Sequence, residues 1–259
     1  MLSILAFLYG ASVGSFVQVI ASRLHVAPII KGRSKCLSCG EALRVLDLVP
    51  LLSYIFLRGK CRYCKSVYGI SALIIELLFG ITFLLLYQVI LSGGDSLLFT
   101  FGLLVYYSLL IGVLGVMALY DRAHSFIPSS FLLLYLLLVL GMFVVRIVGN
   151  PSVLTVLSPV FVMLPFLLIW VITKGKGVGF GDVIIFFGVG AYFGSLKGFA
   201  VLMISVWVGA IFGLGIKYLN GKKKVSLSSA MPFIPFIVFA FLVVLFTDID
   251  VFSIASIFS

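Results

Sequence analysis

The sequence predicts an all-α polytopic membrane protein of about eight transmembrane helices, with a small cytosolic domain near its N-terminus. Of its 259 residues, 63% are hydrophobic and only 10% are charged, which lies outside the range of ordinary soluble domains. Apolar runs recur along the chain, and most are long enough to cross a hydrocarbon core of ~30 Å at a rise of ~1.5 Å per residue. These runs cover residues 2–20, 70–91, 97–120, 127–148, 152–173, 183–196, 198–217 and 230–247, and the sixth is the shortest.

The first run predicts a permanent membrane anchor. No basic residue precedes it, and no Ala-x-Ala-like sequence closes it before Arg23, so the features of a cleaved secretory signal are missing. The segment that follows is polar and differs in composition from everything after it. We therefore divide the chain into a first transmembrane helix (1–20), a four-cysteine domain (21–69) and a second membrane domain (70–259).

The distribution of Lys and Arg predicts the orientation of the helices, because short cytosolic loops retain basic residues. Segment 21–69 carries nine of them, every second loop after it carries more, and the intervening loops hold only Arg146 and Lys197. We expect both termini to face outward and segment 21–69 to be cytosolic. The basic residues assigned to the cytosol are Arg23, Lys31, Arg33, Lys35, Arg44, Arg58, Lys60, Arg62, Lys65, Arg122, Lys174, Lys176, Lys217, Lys222, Lys223 and Lys224.

The net charge of +10 follows from this asymmetry and predicts attraction to anionic membrane lipids. No interleaving of aromatic and basic residues indicates nucleic-acid binding, so no nucleic-acid partner is expected. The apolar residues around Pro50, from Leu46 to Ile55, either pack a small core for the cytosolic domain or lie in the membrane interface.

The four cysteines form two Cys-x-x-Cys pairs within the cytosolic domain. Four thiolates at this spacing can close tetrahedrally around Zn²⁺, and Gly40 after the first pair permits the tight turn of a zinc knuckle. Two disulfides and four free thiols are the alternatives, but a reducing cytosol disfavours the first and the paired spacing disfavours the second. We expect a structural zinc site, closed to reacting water, with the ligands Cys36, Cys39, Cys61 and Cys64.

Only three acidic residues are expected near membrane depth, namely Glu76, Asp121 and Asp182. A carboxylate at the centre of a span costs roughly 2.5–3.5 kcal/mol on insertion scales, so a functional role is the default reading. Asp121 follows the third run and Asp182 precedes the sixth, which places both on the cytosolic side. Two close carboxylates share a proton, which supplies one base to activate water and one acid to protonate the leaving group.

Asp182 closes a glycine-rich stretch with glycines at 175, 177, 179 and 181. A backbone without side chains lets a peptide approach closely, and a strand-like edge there could receive an unwound substrate by β-addition, so Gly179 and Gly181 are candidate substrate-binding residues. The alternative is a loop followed by a helix that Asp182 caps. With two histidines and no His-Glu-x-x-His sequence, a zinc protease is not supported, and no serine nucleophile has an identifiable base.

Several motifs in order along the chain resemble those of the bacterial type IV prepilin peptidases, members of the GxGD intramembrane aspartic proteases. They are Gly14-Ser15-Phe16, the two cysteine pairs, Pro50-Leu51-Leu52-Ser53-Tyr54, Arg58-Gly59-Lys60-Cys61, Glu76-Leu77-Leu78, Asp121-Arg122-Ala123-His124-Ser125-Phe126-Ile127-Pro128 and Gly179-Phe180-Gly181-Asp182. Two positions depart from the family pattern: Ile184 stands where a lysine is frequent, and Ser129 follows the motif proline where Asn or Asp is usual.

The resemblance implies a multi-pass protein of the bacterial cytoplasmic (inner) membrane that cleaves the basic leader of prepilins or pseudopilins at the cytosolic boundary. Asp121 and Asp182 would form the catalytic pair, and region 70–259 would be the peptidase domain. Many members also N-methylate the new terminus with S-adenosylmethionine, although this chain has no recognisable nucleotide motif for it. Glu76 either binds the substrate amine or makes a structural hydrogen bond to a Ser or Tyr of a neighbouring helix.

Two other functions compete with proteolysis. The three membrane acids could line the cation path of a transporter or channel with a metal-binding cytosolic loop, but both aspartates are expected at one surface rather than along a route across the membrane. An inactive scaffold for a secretion machine is the other alternative, and such a protein would ordinarily have lost one aspartate.

Overall fold

A computed structural model describes residues 2–26, 28, 32–36, 38–92, 96–219 and 232–257. Lys31 and the basic cluster Lys222–Lys224, which entered the orientation argument, lie outside these residues. The helices are α1 (Leu2–Arg23), α2 (Leu52–Leu57), α3 (Ser71–Ser92), α4 (Leu97–His124), α5 (Ser129–Gly149), α6 (Val153–Thr173), α7 (Phe180–Phe193), α8 (Ser195–Leu219), α9 (Ile234–Thr247) and α10 (Val251–Ile257), and a 3₁₀ turn covers Val45–Asp47.

The all-α membrane fold predicted from the sequence is confirmed. Eight apolar helices, α1 and α3 to α9, correspond to the eight predicted runs. Within the described ranges, six of them are long and apolar enough to cross a membrane, whereas α7 and α9 have 14 residues each. At ~1.5 Å per residue, 14 residues span only about 21 Å, so these two helices are shorter than a typical hydrocarbon core.

The chain forms two compact units, Met1–Val116 and Met117–Ser259. The predicted division at residues 20 and 69 stays a prediction. In the first unit, α1 packs closely on α3 because its glycines leave room for large side chains. A methyl group on Gly10 would lie 2.6 Å from Cβ of Phe83, and one on Gly14 would lie 2.8 Å from Cβ of Phe79. Gly14 of the first motif is therefore explained by helix packing.

Segment 21–69 has little apolar core of its own. Leu46, Leu52 and Ile55 are 71%, 47% and 63% exposed, so these side chains do not form the small core that was one of the two expectations for them. Among the described residues of this segment, those that are buried are Leu24, Cys36, Asp47, Gly59 and Cys61. Two of these are cysteines of the metal-binding group, and Asp47 pairs with Arg62.

Helix α7 is the central helix of the second unit, with eight of its 14 residues buried. It packs against α5, α6 and α8. The Tyr135 hydroxyl of α5 donates to the carbonyl of Ile185 at 3.0 Å, and the ring of Tyr135 fills the space that a side chain at Gly188 would need.

Helix α7 lies three residues earlier in the chain than the predicted run 183–196. The helix begins at Phe180 rather than 183 and ends before Gly194, whose φ of +85° breaks the helical backbone. The Arg146 guanidinium donates to the carbonyls of Gly190 and Ala191, at 3.3 Å and 2.9 Å. Arg146 thus binds the negative end of a helix dipole, a role that the charge count alone does not indicate.

Candidate active site and metal centre

Asp121 lies inside the last turn of α4, which continues to His124, and not after the helix as the apolar run indicated. Its side chain is buried, with the residue 6% exposed. Carboxylate oxygen Oδ2 accepts a hydrogen bond from the backbone N–H of Ile234 at 3.1 Å. Ile234 is the first residue of α9, so the carboxylate lies at the positive end of that helix dipole.

Asp182 occupies the third position of α7 and is half-buried. The N-cap residue is Gly179, whose φ of −71° and ψ of 144° are extended and which has no side chain to cap the helix. The alternative reading, in which Asp182 itself is the capping residue, is therefore wrong. The carboxylate faces back toward the turn, since a methyl group on Gly179 would lie 3.4 Å from its Oδ2.

Asp121 and Asp182 belong to the same compact unit and lie at the end of α4 and the start of α7. The loop after Asp121 also packs directly on the glycine turn, because Cδ1 of Ile127 lies 2.4 Å from the place of a methyl group on Gly181. Gly181 therefore serves close packing, whereas Gly179 is exposed and has an extended backbone that a peptide can reach. Its exposed position fits the predicted role in substrate binding better than that of Gly181.

Sequence reasoning missed the contribution of α9 to this site. Pro232 and Pro235 interrupt the last apolar run and mark the start of a helix, which is a visible signal. The prolines did not reveal how the start of α9 is held in place. The ring centroid of Phe233 lies 5.6 Å from that of Phe166 and 6.5 Å from that of Phe186.

Glu76 lies in the first unit on α3 and is 9% exposed. Its Oε2 accepts a hydrogen bond from the backbone N–H of Leu51 at 2.8 Å. The structural hydrogen bond expected for Glu76 is therefore present, but its donor is a loop backbone and not a Ser or Tyr side chain. Glu76 also lines a cavity of about 310 Å³.

The four cysteines converge, and their sulfur atoms all lie within 4.8 Å of one another. The Sγ atoms of Cys36 and Cys64 are 3.8 Å apart, which is close to the ~3.8 Å that a tetrahedron of Zn–S bonds of ~2.3 Å requires. All four are free thiols rather than disulfides. The donor set and spacing therefore fit a closed structural Zn²⁺ site.

The two pairs share one backbone pattern. In the first pair, the N–H of Cys36 donates to the carbonyl of Glu41, and the N–H of Gly40 donates to the carbonyl of Cys36, both at 2.9 Å. In the second pair, the N–H of Cys61 donates to the carbonyl of Ser66 at 2.8 Å, and the N–H of Lys65 donates to the carbonyl of Cys61 at 3.1 Å. The residue after each pair has a positive φ, +74° at Gly40 and +60° at Lys65. The expected turn is therefore present at both knuckles, although only the first has the glycine that suits it.

The thiols are arranged to hold a cation. Hydrogen bonds from the backbone of Cys39 and Ser38 lower the pKa of Cys36 to about 6. The pKa of Cys39 rises to about 11 even though its backbone hydrogen bond at Glu41 lowers it, because burial and the adjacent sulfurs of Cys64 and Cys36 outweigh that bond. A bound divalent cation relieves this crowding of thiolates.

Comparisons with known proteins agree with these features. Residues 8–90 match the bacterial peptidase A24 N-terminal domain, and residues 108–214 match the type IV leader peptidase family. No solved structure matches the chain. Three similar proteins are each named prepilin leader peptidase/N-methyltransferase. The protein from Bacillus subtilis (strain 168) is 31% identical to this chain, over 91% of this chain and 90% of its own length. The protein from Legionella pneumophila is 30% identical, over 83% of this chain and 72% of its own length. The protein from Aeromonas salmonicida is 25% identical, over 91% of this chain and 87% of its own length.

These matches cover both units, and they include the motifs on which the resemblance depends. With its apolar helices of spanning length, the chain is an integral protein of the inner membrane. The cation transporter considered from the sequence is not supported. The chain belongs to the type IV leader peptidase family of aspartic peptidases.

Proposed function

We propose that this protein cleaves the short basic leader from type IV prepilins or pseudopilins, with Asp121 and Asp182 as its catalytic residues. The observation that carries the proposal is the packing of Ile127, which follows Asp121 and the end of α4, against Gly181, which precedes Asp182 at the start of α7. Names of the relatives support the substrate class. The active site is proposed to face the cytosol, where the basic leader of the substrate lies.

In this mechanism one ionised carboxylate takes a proton from a water molecule, which attacks the scissile carbonyl carbon. The other, protonated carboxyl donates to the carbonyl oxygen, and the resulting tetrahedral intermediate collapses as the leaving amine takes up a proton. No covalent enzyme intermediate forms. Because the pair needs one proton between two acids, activity should decline both when the two carboxyls are protonated and when both are ionised.

The glycine turn before Asp182 is proposed to receive the substrate backbone. Gly179 is exposed and extended, and it lies beside the Asp182 carboxylate, so a peptide that is unwound at its cleavage site can approach the reacting water there. Glycine at this position leaves the space open.

The metal centre is proposed to hold the cytosolic segment together. Cys36, Cys39, Cys61 and Cys64 would bind Zn²⁺ with no open coordination position, so the metal would take no part in hydrolysis. Elemental analysis of the purified protein tests this, since a folded protein without stoichiometric metal would contradict it.

A second activity, N-methylation of the newly exposed terminus, is proposed from the names of the relatives. S-adenosylmethionine would be the methyl donor. Mass spectrometry of the cleaved product, with and without the donor, detects the added methyl group.

The test of the peptidase proposal uses detergent-purified protein and a synthetic peptide with a basic leader, a glycine and an apolar helix. Wild type should cleave after the glycine, and Asp121→Asn and Asp182→Asn should each abolish cleavage. Asp248→Asn is the matched control, because Asp248 is an exposed acid of the same unit that pairs with Lys197. Full cleavage by either dyad variant would defeat the proposal.

A further inference from the structure

The short helix α2 has an apolar face that the described part of the chain leaves uncovered. Leu52, Ile55 and Phe56 are three and four residues apart and therefore share one face of the helix. These side chains are 47%, 63% and 81% exposed. Three large apolar side chains next to one another on a surface are typical of a site that contacts an apolar partner.

The opposite face of α2 is directed toward the start of α3. Tyr54 and Leu57 line the cavity of about 310 Å³ together with Ala72, Leu73 and Glu76 of that helix. Tyr54 and Leu57 lie on the other side of the helix from the exposed apolar face. Helix α2 therefore lies beside α3, and its apolar face is turned away from α3.

The residue before α2 is held at the depth of a membrane span. The buried carboxylate of Glu76 accepts a hydrogen bond from the N–H of Leu51 at 2.8 Å. Glu76 is the sixth residue of α3, so it lies about 7 Å along the helix from Ser71. The apolar stretch Ser71–Leu91 is about 31 Å long, which is close to the ~30 Å of a hydrocarbon core. The start of α3 therefore lies at the boundary of the core, and Leu51 is held at that boundary.

Basic side chains border the apolar face. Arg58 and Lys60 follow α2 directly, and both are exposed. Segment 21–69 has nine Lys and Arg residues but only two acidic residues, Glu41 and Asp47. An apolar helix face next to cations is the pattern of a helix that lies in the headgroup region of a bilayer, where lipid phosphates attract Lys and Arg.

An apolar groove continues the same surface. A cavity of about 320 Å³ lies between α2 and the 3₁₀ turn. Of the seven described residues that line it, five are apolar, including Leu46, and one is the cation Arg62. Leu46 itself is 71% exposed. An acyl chain and the phosphate of a phospholipid match a groove that is apolar along most of its lining and also has a guanidinium group.

We propose that the apolar face of α2 and the groove beside it are embedded in the membrane leaflet on the side where α3 begins, with phospholipid as their partner. Acyl chains cover Leu52, Ile55 and Phe56, and lipid phosphates accept hydrogen bonds from Arg58 and Lys60. Helix α2 is then an interfacial helix that lies in the membrane surface and does not cross the bilayer. Segment 21–69 is thereby fixed against the membrane, whatever reaction the protein catalyses.

Tryptophan fluorescence of the full chain in phospholipid vesicles tests this placement. The chain has two tryptophans, Trp170 and Trp207, and both are replaced by phenylalanine in the background protein. Phe56→Trp then introduces a single tryptophan on the apolar face of α2. Tyr63→Trp is the matched control, because Tyr63 is an exposed aromatic residue of the same segment that lies outside α2.

The quenchers are phospholipid brominated in the upper half of its acyl chains and, in separate samples, acrylamide in the water phase. Brominated lipid should remove at least about half of the emission of Phe56→Trp and less than about a fifth of that of Tyr63→Trp, because only the first tryptophan contacts acyl chains. Acrylamide should quench the two variants in the reverse order.

The other possible surroundings of this face give different results. If acrylamide but not brominated lipid quenches Phe56→Trp, the face lies in water. If neither quencher acts, the face is covered by protein, either by the rest of this chain or by a second copy. Each of these results, or equal quenching of Phe56→Trp and Tyr63→Trp by brominated lipid, would overturn the proposal.

Making the face polar gives a second readout. Leu52→Gln/Ile55→Gln, added to Phe56→Trp, replaces two exposed apolar side chains by residues that still favour a helix. Quenching by brominated lipid should fall at least about twofold, since the apolar contacts that hold α2 in the leaflet are lost. Val67→Gln makes the same kind of change at an exposed position outside α2 and should leave quenching as it was. Unchanged quenching in the double Gln variant would show that this face does not hold α2 in the membrane.

Discussion

The Asp121 carboxylate accepts a hydrogen bond from the first backbone N–H of α9, that of Ile234, at 3.1 Å. Ile234 is fully buried, and the preceding Phe233 is held in an aromatic cluster with Phe166 and Phe186. One oxygen of Asp121 is thereby fixed by a helix that begins 113 residues later. The orientation of a proposed catalytic acid thus depends on the C-terminal part of the chain.

This contact allows the structural role of Asp121 to be measured separately from its proposed catalytic role. Asp121→Ala leaves the buried N–H of Ile234 without an acceptor and should destabilise the protein by about 1–3 kcal/mol. Asp121→Asn retains an amide oxygen that can accept this bond, so it should unfold close to the wild-type temperature while losing at least about a hundredfold in cleavage rate. Thermal unfolding in detergent and the peptide assay measure the two effects. Equal unfolding temperatures for the two variants would show that the bond contributes little.

The two glycines of the turn should respond differently to alanine. At Gly181 a methyl group meets Cδ1 of Ile127 at 2.4 Å, whereas at Gly179 it makes an ordinary contact of 3.4 Å with Asp182 Oδ2. We expect Gly181→Ala to lower the cleavage rate about tenfold by displacing the loop after Asp121, and Gly179→Ala to lower it less.

The partner substitution provides the control for this steric explanation. Ile127→Val removes the Cδ1 atom that causes the clash, so the double variant Gly181→Ala/Ile127→Val should recover most of the rate. If Gly179→Ala proves the more harmful change, or if Ile127→Val does not rescue Gly181→Ala, packing at Gly181 is not what limits the reaction.

The sequence predicted the apolar helices because their signal is local, and the assignment of the two aspartates to the active site stays a prediction. Helix ends were less accurate: α4 continues past the apolar run through Asp121, since no helix-breaking residue occurs before Ser125, whose φ is +52°. The bond from Ile234 to Asp121 could not be read from the sequence, because it joins residues far apart and its donor is a backbone N–H that every non-proline residue has. The same reason explains why Leu51 was not foreseen as the partner of Glu76.

The two knuckles offer a matched pair of substitutions. Lys65 has φ of +60° in the place that Gly40 occupies in the first knuckle. A left-handed backbone is unfavourable by roughly 1–2 kcal/mol for a residue with a side chain, so Lys65→Gly should stabilise the segment by about 0.5–1 kcal/mol after the entropy of glycine is counted. Gly40→Lys should destabilise it by a similar or larger amount. The rate at which the purified protein loses the proposed Zn²⁺ to a chelator reports both changes, and a faster loss from Lys65→Gly would contradict this expectation.

Acid should weaken segment 21–69 through Asp47. Burial raises the pKa of this carboxyl, but the hydrogen bond and charge of Arg62 and the N–H of Arg44 outweigh burial and hold the pKa below its ordinary value. A lowered folded-state pKa contributes stability above the unfolded value of about 3.9, and this contribution is lost as the pH falls through the folded value. Asp47→Asn should therefore unfold at a lower temperature than wild type at pH 7, and this gap in unfolding temperature should close below about pH 4.

Because wild type and variant share the same cysteines, protonation of the thiols affects both proteins and cancels in the difference between their unfolding temperatures. Thermal unfolding from pH 3 to 7 measures the gap, with Glu41→Gln as the exposed control, and a gap of constant size would show that the ion pair with Arg62 does not stabilise the segment.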